Sequence, residues 1–471
     1  MQACVLTIPA KSVGAGVQTV TGIVDHTGAP FVGTLFLFHG NSALNTLQTA
    51  YRRSYGTDDG VSVRRGQAVD EVFLFGGKIL CSGSSGQYSL LDERSHTSFG
   101  GFIERRAYVS AVRLGEIDIT YDLNNRTGDS LLLTVLGGSD LLTNVGTLSP
   151  TTLSVGFPPE ALIFREQVLS GASTATGGGD GQYGVGWATR LSGQGFSTIR
   201  VTGQGGNARY QRSDLCSALV NGGTPLPPVY TPASERTVTS WDALGAVVSG
   251  TANGQMQYVA CGGIQAAAGV LLQPLVTGLQ EVVTGLDNRM VWVSSVGAPA
   301  NAAVQTDRAE WAFGMLSAAG RQAGYWCGED IVGNASLHGA RYLSDGDVLR
   351  FGTPNGLSTV FTAIAQHGGF SASGLSFSLD WTTVDGVARE WLWLALGDPP
   401  PPLVIITPPP PGELCEDCGC RMAAVPREDR SQVVGDRRVT NVPREPRTGH
   451  VFERRLKIVA PENREIAIPC A

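Results

Sequence analysis

Residues 131–138 read LLLTVLGG, residues 256–263 read MQYVACGG and residues 391–398 read WLWLALGD. Each is an apolar run of strand length that closes on a glycine pair or on Gly-Asp, and each is followed by a fresh start. About 110 residues before each closing, a second pattern recurs: VTGI at 20–23, SVGF at 154–157 and VTGL at 283–286. An aliphatic strand then follows each opening, TLFLF at 34–38, ALIF at 161–164 and MVWV at 290–293. Three openings match three closings in order and in spacing, whereas glycine-rich β sequences that look alike by chance would match in neither.

Between them the pattern alternates. YVSAVRL at 108–114 and EIDITYDL at 116–123 suggest sheets with one face in a core and the other in solvent. Domains of this size with many short strands pack most naturally as two sheets. The expected fold is all-β, with three tandem β-sandwich or jelly-roll-like domains at 1–138, 139–263 and 264–398.

Composition points the same way. The 471 residues include 62 Gly and only 16% charged side chains, which favours short strands and tight turns over helices. No apolar run is long enough for a membrane-spanning helix. The first residues, MQACVLTIPAKSV, lack the basic and apolar regions of a secretory signal, so synthesis and assembly in the cytoplasm are expected. Of nine cysteines, Cys4, Cys81, Cys216, Cys261 and Cys327 are scattered and read as small buried hydrophobes. Lysine occurs only at Lys11, Lys78 and Lys457. A preference for Arg suits carboxylate pairing across interfaces, although codon bias explains it equally well.

After Asp398 the chain changes character. PPPP at 399–402, LVIIT and PPPP at 408–411 make a Pro-rich linker over 399–413, a semi-rigid polyproline II spacer. Residues 414–471 then hold a Cys cluster and a repeat of period seventeen: VPREDRSQVV at 425–434, VPREPRTGHV at 442–451 and VAPENREIAI at 459–468. Val425, Val442 and Val459 open the units, and Glu428, Glu445 and Glu462 follow at one offset, Arg430, Arg447 and Arg464 at another. Proline removes a ladder donor and favours extended backbone, so an extended arm of short strands is expected rather than a helix. Residues 421–471 carry eleven Lys and Arg against seven Asp and Glu, a net of +4 in a chain at −7, which leaves −11 for the remainder. A basic repetitive arm behind an acidic body reads as a docking segment; the competing reading is a disordered basic terminus.

The most chemical-looking stretch is LCEDCGC at 414–420. Cys415, Cys418 and Cys420 could share one metal, with Cys470 or His450 as fourth ligand if the arm folds back. The same thiols, with Cys470, could instead form disulfides after release into an oxidising medium, or stay free. Elsewhere, GQGG at 203–206 lacks the helical pattern that a phosphate-binding turn needs, and SGSSGQ at 82–87 lacks the strand–turn–helix context of a serine nucleophile. Asp345 and Asp347 in SDGDVL suit a turn better than a calcium site. No catalytic residue and no cofactor are expected. An acidic body, with tail Arg alternating with Glu, argues against nucleic-acid binding, and no membrane partner is expected.

VGFPPEALIF at 155–164 is similar to the G-F-x-P-x-x-hydrophobic opening of phage tail and decoration proteins, and the V-P-x-E-x-R units resemble repeats of other phage-encoded structural proteins. The chain thus resembles virion structural proteins of tailed bacteriophages, the first motif being clear only in the second domain. The resemblance implies a non-enzymatic virion component, in head decoration, neck or tail, that forms a homo-oligomer and binds other virion proteins through its arm. The alternative is a receptor-binding fibre or lectin-like protein that recognises host surface glycans. That needs exposed aromatic platforms; Trp187, Trp241, Trp311, Trp326 and Trp381 are candidates, although most have apolar neighbours that suit a core. A glycan-cleaving enzyme would need two converging carboxylates, which spacing alone does not reveal.

Overall fold

The three closing runs form strands in the interior of their sheets, none of them at an edge. The computed structural model describes residues 1–9, 11–49, 52–60, 64–72, 78–85, 91–97, 100–125, 128–148, 152–166, 176–178, 180–202, 207–222, 230–250, 256–306, 308–330, 339–353 and 359–400. Among them there is no helix, and the strands form antiparallel sheets.

The first sandwich contains β1 (Gln2–Ile8), β2 (Gly16–Thr21), β3 (Gly33–Ser42), β4 (Gln48–Thr49), β5 (Arg52–Asp58), β6 (Arg64–Val72), β7 (Lys78–Ser85), β8 (Leu91–Thr97), β9 (Gly100–Arg113), β10 (Glu116–Asn124) and β11 (Ser130–Gly137). The second contains β12 (Leu142–Leu148), β13 (Thr152–Ser154), β14 (Pro159–Glu166), β15 (Thr176–Gly178), β16 (Asp180–Thr189), β17 (Gln194–Thr202), β18 (Asn207–Arg212), β19 (Ser217–Gly222), β20 (Tyr230–Trp241), β21 (Gly245–Gly250) and β22 (Met256–Gly262). The third contains β23 (Gln265–Leu272), β24 (Gly278–Val283), β25 (Asp287–Ser295), β26 (Arg308–Ser317), β27 (Gln322–Asp330), β28 (Ala340–Ser344), β29 (Leu349–Thr353), β30 (Val360–Phe370), β31 (Ser376–Thr383) and β32 (Glu390–Asp398).

With β4 and β15 set aside, one strand order occurs three times. It is β1-β11-β3-β5-β6-β7 with β2-β10-β9-β8, then β12-β22-β14-β16-β17-β18 with β13-β21-β20-β19, then β23-β32-β25-β26-β27-β28 with β24-β31-β30-β29. The recurring motifs of the sequence therefore mark a recurring topology.

The geometry explains both motifs. Gly22, Gly156 and Gly285 take φ of 81°, 85° and 75°, a left-handed turn that glycine adopts without a Cβ penalty. The next residue drops into each sandwich: Ile23 and Leu286 are buried and Phe157 is partly so. At the closings, a Cβ on Gly137, Gly262 or Gly397 would lie 2.4 Å from Val32 O, 2.7 Å from Pro158 O or 2.2 Å from Asp287 O. In all three sandwiches the closing glycine thus packs on backbone at or just before the start of β3, β14 or β25, and in the second and third that backbone directly follows the opening motif.

The unbroken apolar character of the closing strands follows from burial of both faces. In β11, Leu131, Leu133 and Val135 face the partner sheet of the first sandwich, while Leu132 and Leu136 enter a core shared by all three sandwiches. In β32, Trp391, Trp393 and Ala395 face inward, and Leu392, Leu394 and Leu396 enter the shared core. In β22 the division is Tyr258 and Ala260 against Val259 and Cys261. At about 1.5–3 kcal/mol for each fully buried large apolar side chain, the shared core binds the sandwiches together far more firmly than their short connections could. Residues Met1–Pro400 accordingly form one compact unit and not three independent beads. The β9–β10 hairpin of the first four-stranded sheet keeps the alternation expected of one solvent face: Ile117, Ile119 and Tyr121 are buried, and Glu116, Asp118 and Thr120 are half-exposed.

Candidate assembly surfaces

Strand exchange joins the sandwiches in a cycle. The connection after β3 carries β4, which pairs with β28 of the third sandwich through Gln48 with Arg341 and Thr49 with Ala340. The connection after β14 carries β15, which extends β7 of the first sandwich from Thr176 opposite Ser82 to Gly178 opposite Leu80. The connection after β25 supplies Gln305, whose N–H and C=O bond Arg209 of β18 in the second sandwich at 3.0 and 2.9 Å. Each sandwich lends the same connection to the last strand of the six-stranded sheet before it. Edge strands invite non-specific pairing, and here neighbours within the chain occupy them.

A second set of contacts reinforces the cycle. Ser192, in the turn between β16 and β17, bonds both Ala268 N (2.9 Å) and Ala268 O (3.2 Å) on β23. At the equivalent turn of the third sandwich, Arg321 donates to Cys4 Sγ of β1 at 3.2 Å. Two junctions between sandwiches are short covalent connections, β11 to β12 and β22 to β23. The remaining one is an ion pair: the Met1 ammonium lies 2.6 Å from Asp398 Oδ1, and Arg289 Nε donates to Asp398 Oδ2 at 2.9 Å.

Charges are buried in these seams. Asp129 lies 3.7 Å from Arg105 in its own sandwich and 3.5 Å from Arg341 in the third, all three side chains being almost fully buried. Arg341 Nε also donates to Gln48 Oε1 of β4 at 2.8 Å, so one guanidinium holds both the exchanged strand and the acid. Arg165, at the end of β14, donates to Gly56 O at 2.9 Å and Phe38 O at 3.3 Å in the first sandwich. Sequence reasoning missed these groups. The exchanged strands are two and three residues long, too short for any period, although the Arg that ends the apolar run ALIFRE was a visible signal.

The tryptophans do not form platforms. Trp187, Trp311, Trp326 and Trp381 are buried, as are Trp292, Trp391 and Trp393. Trp241 is half-buried and borders an open cleft of about 300 Å³ with Thr189, Ser192, Gln194, Asp214 and Val238. Its place in the register is that of Val112 and Phe370 in the other sandwiches, which likewise pack over the mouth of their cores. The Arg190 guanidinium lies 5.7 Å from its ring centroid, tied by Nη2 to Asp242 O and by Nε to Pro159 O. Gln194 spends its amide on Asp214 O and on the Val238 N–H. The cleft is a lidded sandwich mouth with its polar groups already engaged.

The remaining candidates fall as follows. Asp347 accepts bonds from Ser344, Arg350 and Gln366, and Asp345 from Asn45, so SDGDVL is a turn that anchors neighbouring strands. Cys4, Cys216, Cys261 and Cys327 are buried thiols, as expected of small hydrophobes, the Cys81 side chain lies outside the described residues, and burial pushes the Cys261 thiol up to about 12. Of SGSSGQ, residues 82–85 belong to β7. GQGG at 203–206, the Cys cluster with Cys415, Cys418, Cys420 and Cys470, and the arm from Val425 to Arg464 lie outside the described residues.

Sequence comparison finds no protein family and no curated protein that matches this chain.

Proposed function

We propose that the chain is a non-enzymatic structural component of a tailed-phage virion, in head decoration, neck or tail, that docks on other virion proteins and multimerises through its C-terminal repeat arm. What supports an assembly role is the closed cycle of strand exchange. Three sandwiches lend connections to one another and share a core, so the chain builds from one polypeptide the kind of body that cyclic homo-oligomers build from three. A single repetitive, basic arm follows that body. An extended arm adds naturally to a sheet edge of a neighbour, and repeated contacts in a symmetric particle accumulate affinity. The glycan-receptor reading has less support, because the half-buried Trp241 acts as a core lid.

The test is light scattering of the full chain and of a 1–412 truncation, with and without reductant, followed by incorporation into particles. The truncation keeps the whole compact unit and is expected to stay folded yet fail to multimerise or join particles. Full occupancy of the truncated protein in particles would end the docking-arm reading. Reductant sensitivity of the full-length multimer would place disulfides at Cys415, Cys418, Cys420 or Cys470.

A further inference from the structure

The three four-stranded sheets expose the same edge, but its chemistry differs in each. In the first sandwich, β2 turns outward Val17, Thr19 and Thr21, and Thr19 is bonded to Asp118 at 2.7 Å. In the second, β13 is three residues long. In the third, β24 turns outward Leu279, Glu281 and Val283, with Leu279 66% and Val283 68% exposed. Leu275 and Val276, just before it, are also exposed. Long apolar edges are normally blunted, and this one is blunted only by one acid.

The main chain of β24 is available as well. Thr284 N–H donates to Leu375 O at 2.9 Å, in register with the ladder to β31. Residues 278, 280 and 282 therefore turn their peptide groups toward β31, and 279, 281 and 283 turn theirs toward the open edge. Among the described residues no strand pairs there, whereas strand exchange covers the last strand of each six-stranded sheet. On the same outer face the charged side chains of β24 and β31 are Glu281 and Asp380, both acids, and Asp380 stands opposite Leu279.

A second copy of the chain fits poorly. Antiparallel pairing of two β24 edges that satisfies residues 279, 281 and 283 together sets Leu279 against Val283 and Glu281 against its own copy. Like charges directly opposite are destabilising. We infer that β24 is a docking edge for an extended segment of another protein, one with a basic residue flanked at two positions on either side by aliphatic residues, which adds to the sheet as a fifth strand. Main-chain bonds would supply affinity, and the Leu279–Glu281–Val283 face would supply register and charge selection. This edge belongs to the body, so its docking does not depend on the C-terminal arm.

The probe is a labelled nine-residue peptide of alternating Thr and Val with one central Lys, paired with the same peptide carrying a central Glu. Fluorescence anisotropy with the full chain is expected to show at least tenfold tighter binding of the Lys peptide. The exposed substitution Glu281→Lys should reverse the preference, and Leu279→Asp should abolish binding of both. Equal binding of the two peptides, no binding of either up to millimolar concentration, or an unchanged preference in Glu281→Lys would overturn the proposal. So would a wild-type dimer that Leu279→Asp dissociates, because the edge would then belong to a second copy.

Discussion

Arg165 of the second sandwich points Nη2 at Nδ1 of His39 in the first, 3.4 Å away, inside fully buried surroundings. Arginine only donates, so Nδ1 accepts, and Nε2 carries the proton that it shares with Thr134 Oγ1 at 3.0 Å. The imidazole also stacks on Phe313, 4.8 Å between centroids, and meets the edge of Trp292, both of the third sandwich. One neutral ring thus touches all three sandwiches, with a cation beside it.

Acid should loosen this junction. Burial first, and the Arg165 charge second, hold the His39 pKa well below its ordinary value. Below about pH 6.5 the unfolded chain binds a proton that the folded chain refuses, so stability falls as pH drops through that point and levels off only below the folded value. Urea unfolding at pH 7.5 and 5 should show the loss. His26 and His367 are shifted in the same direction, so the decisive comparison is with His39→Phe, which should lose less stability between the two pH values than the wild type. An identical pH dependence in that variant would show that His39 is not the group responsible.

Asp129 pairs with two buried guanidinium groups from different sandwiches, one through each carboxylate oxygen. Asp129→Ala should cost about 3–5 kcal/mol, because it strands buried charge, whereas a well-packed apolar replacement of the whole cluster should cost far less. Denaturant midpoints of the two variants check this. A loss under about 1 kcal/mol for Asp129→Ala would mean that water reaches the seam.

Gly397→Ala should be destabilising by about 1–3 kcal/mol, since its Cβ would sit 2.2 Å from Asp287 O and the backbone must move. Gly346→Ala, whose Cβ meets nothing closer than Ser344 Oγ at 3.9 Å, should stay within about 0.5 kcal/mol of the wild type. Thermal unfolding of the pair separates a close backbone contact from a generic loss of glycine.

Trp241→Phe should cost less than about 1.5 kcal/mol if the ring is a lid, because Phe370 fills the same register position in the third sandwich. Trp292→Ala, in the shared core, should cost about 3–5 kcal/mol. A Trp241→Phe variant that kept its stability but lost binding on a glycan array would favour the receptor reading instead.

What the sequence by itself determined is local. VTGI, SVGF and VTGL mark three openings, alternation in EIDITYDL reports one solvent face, and the apolar closings at 131, 256 and 391 report strands. These signals depend on a residue and its near neighbours, so they survive in one dimension. Only the tertiary structure decided why the closing strands are apolar on both faces: Leu132, Val259 and Leu394 meet in a core that no single sandwich contains. It alone paired Gln48 with Arg341 and set Arg165 against His39. Those partners are separated by more than a hundred residues, and a two-residue strand or a single Arg has no period to announce it. Its place is fixed by the burial and hydrogen bonding of the neighbour it meets.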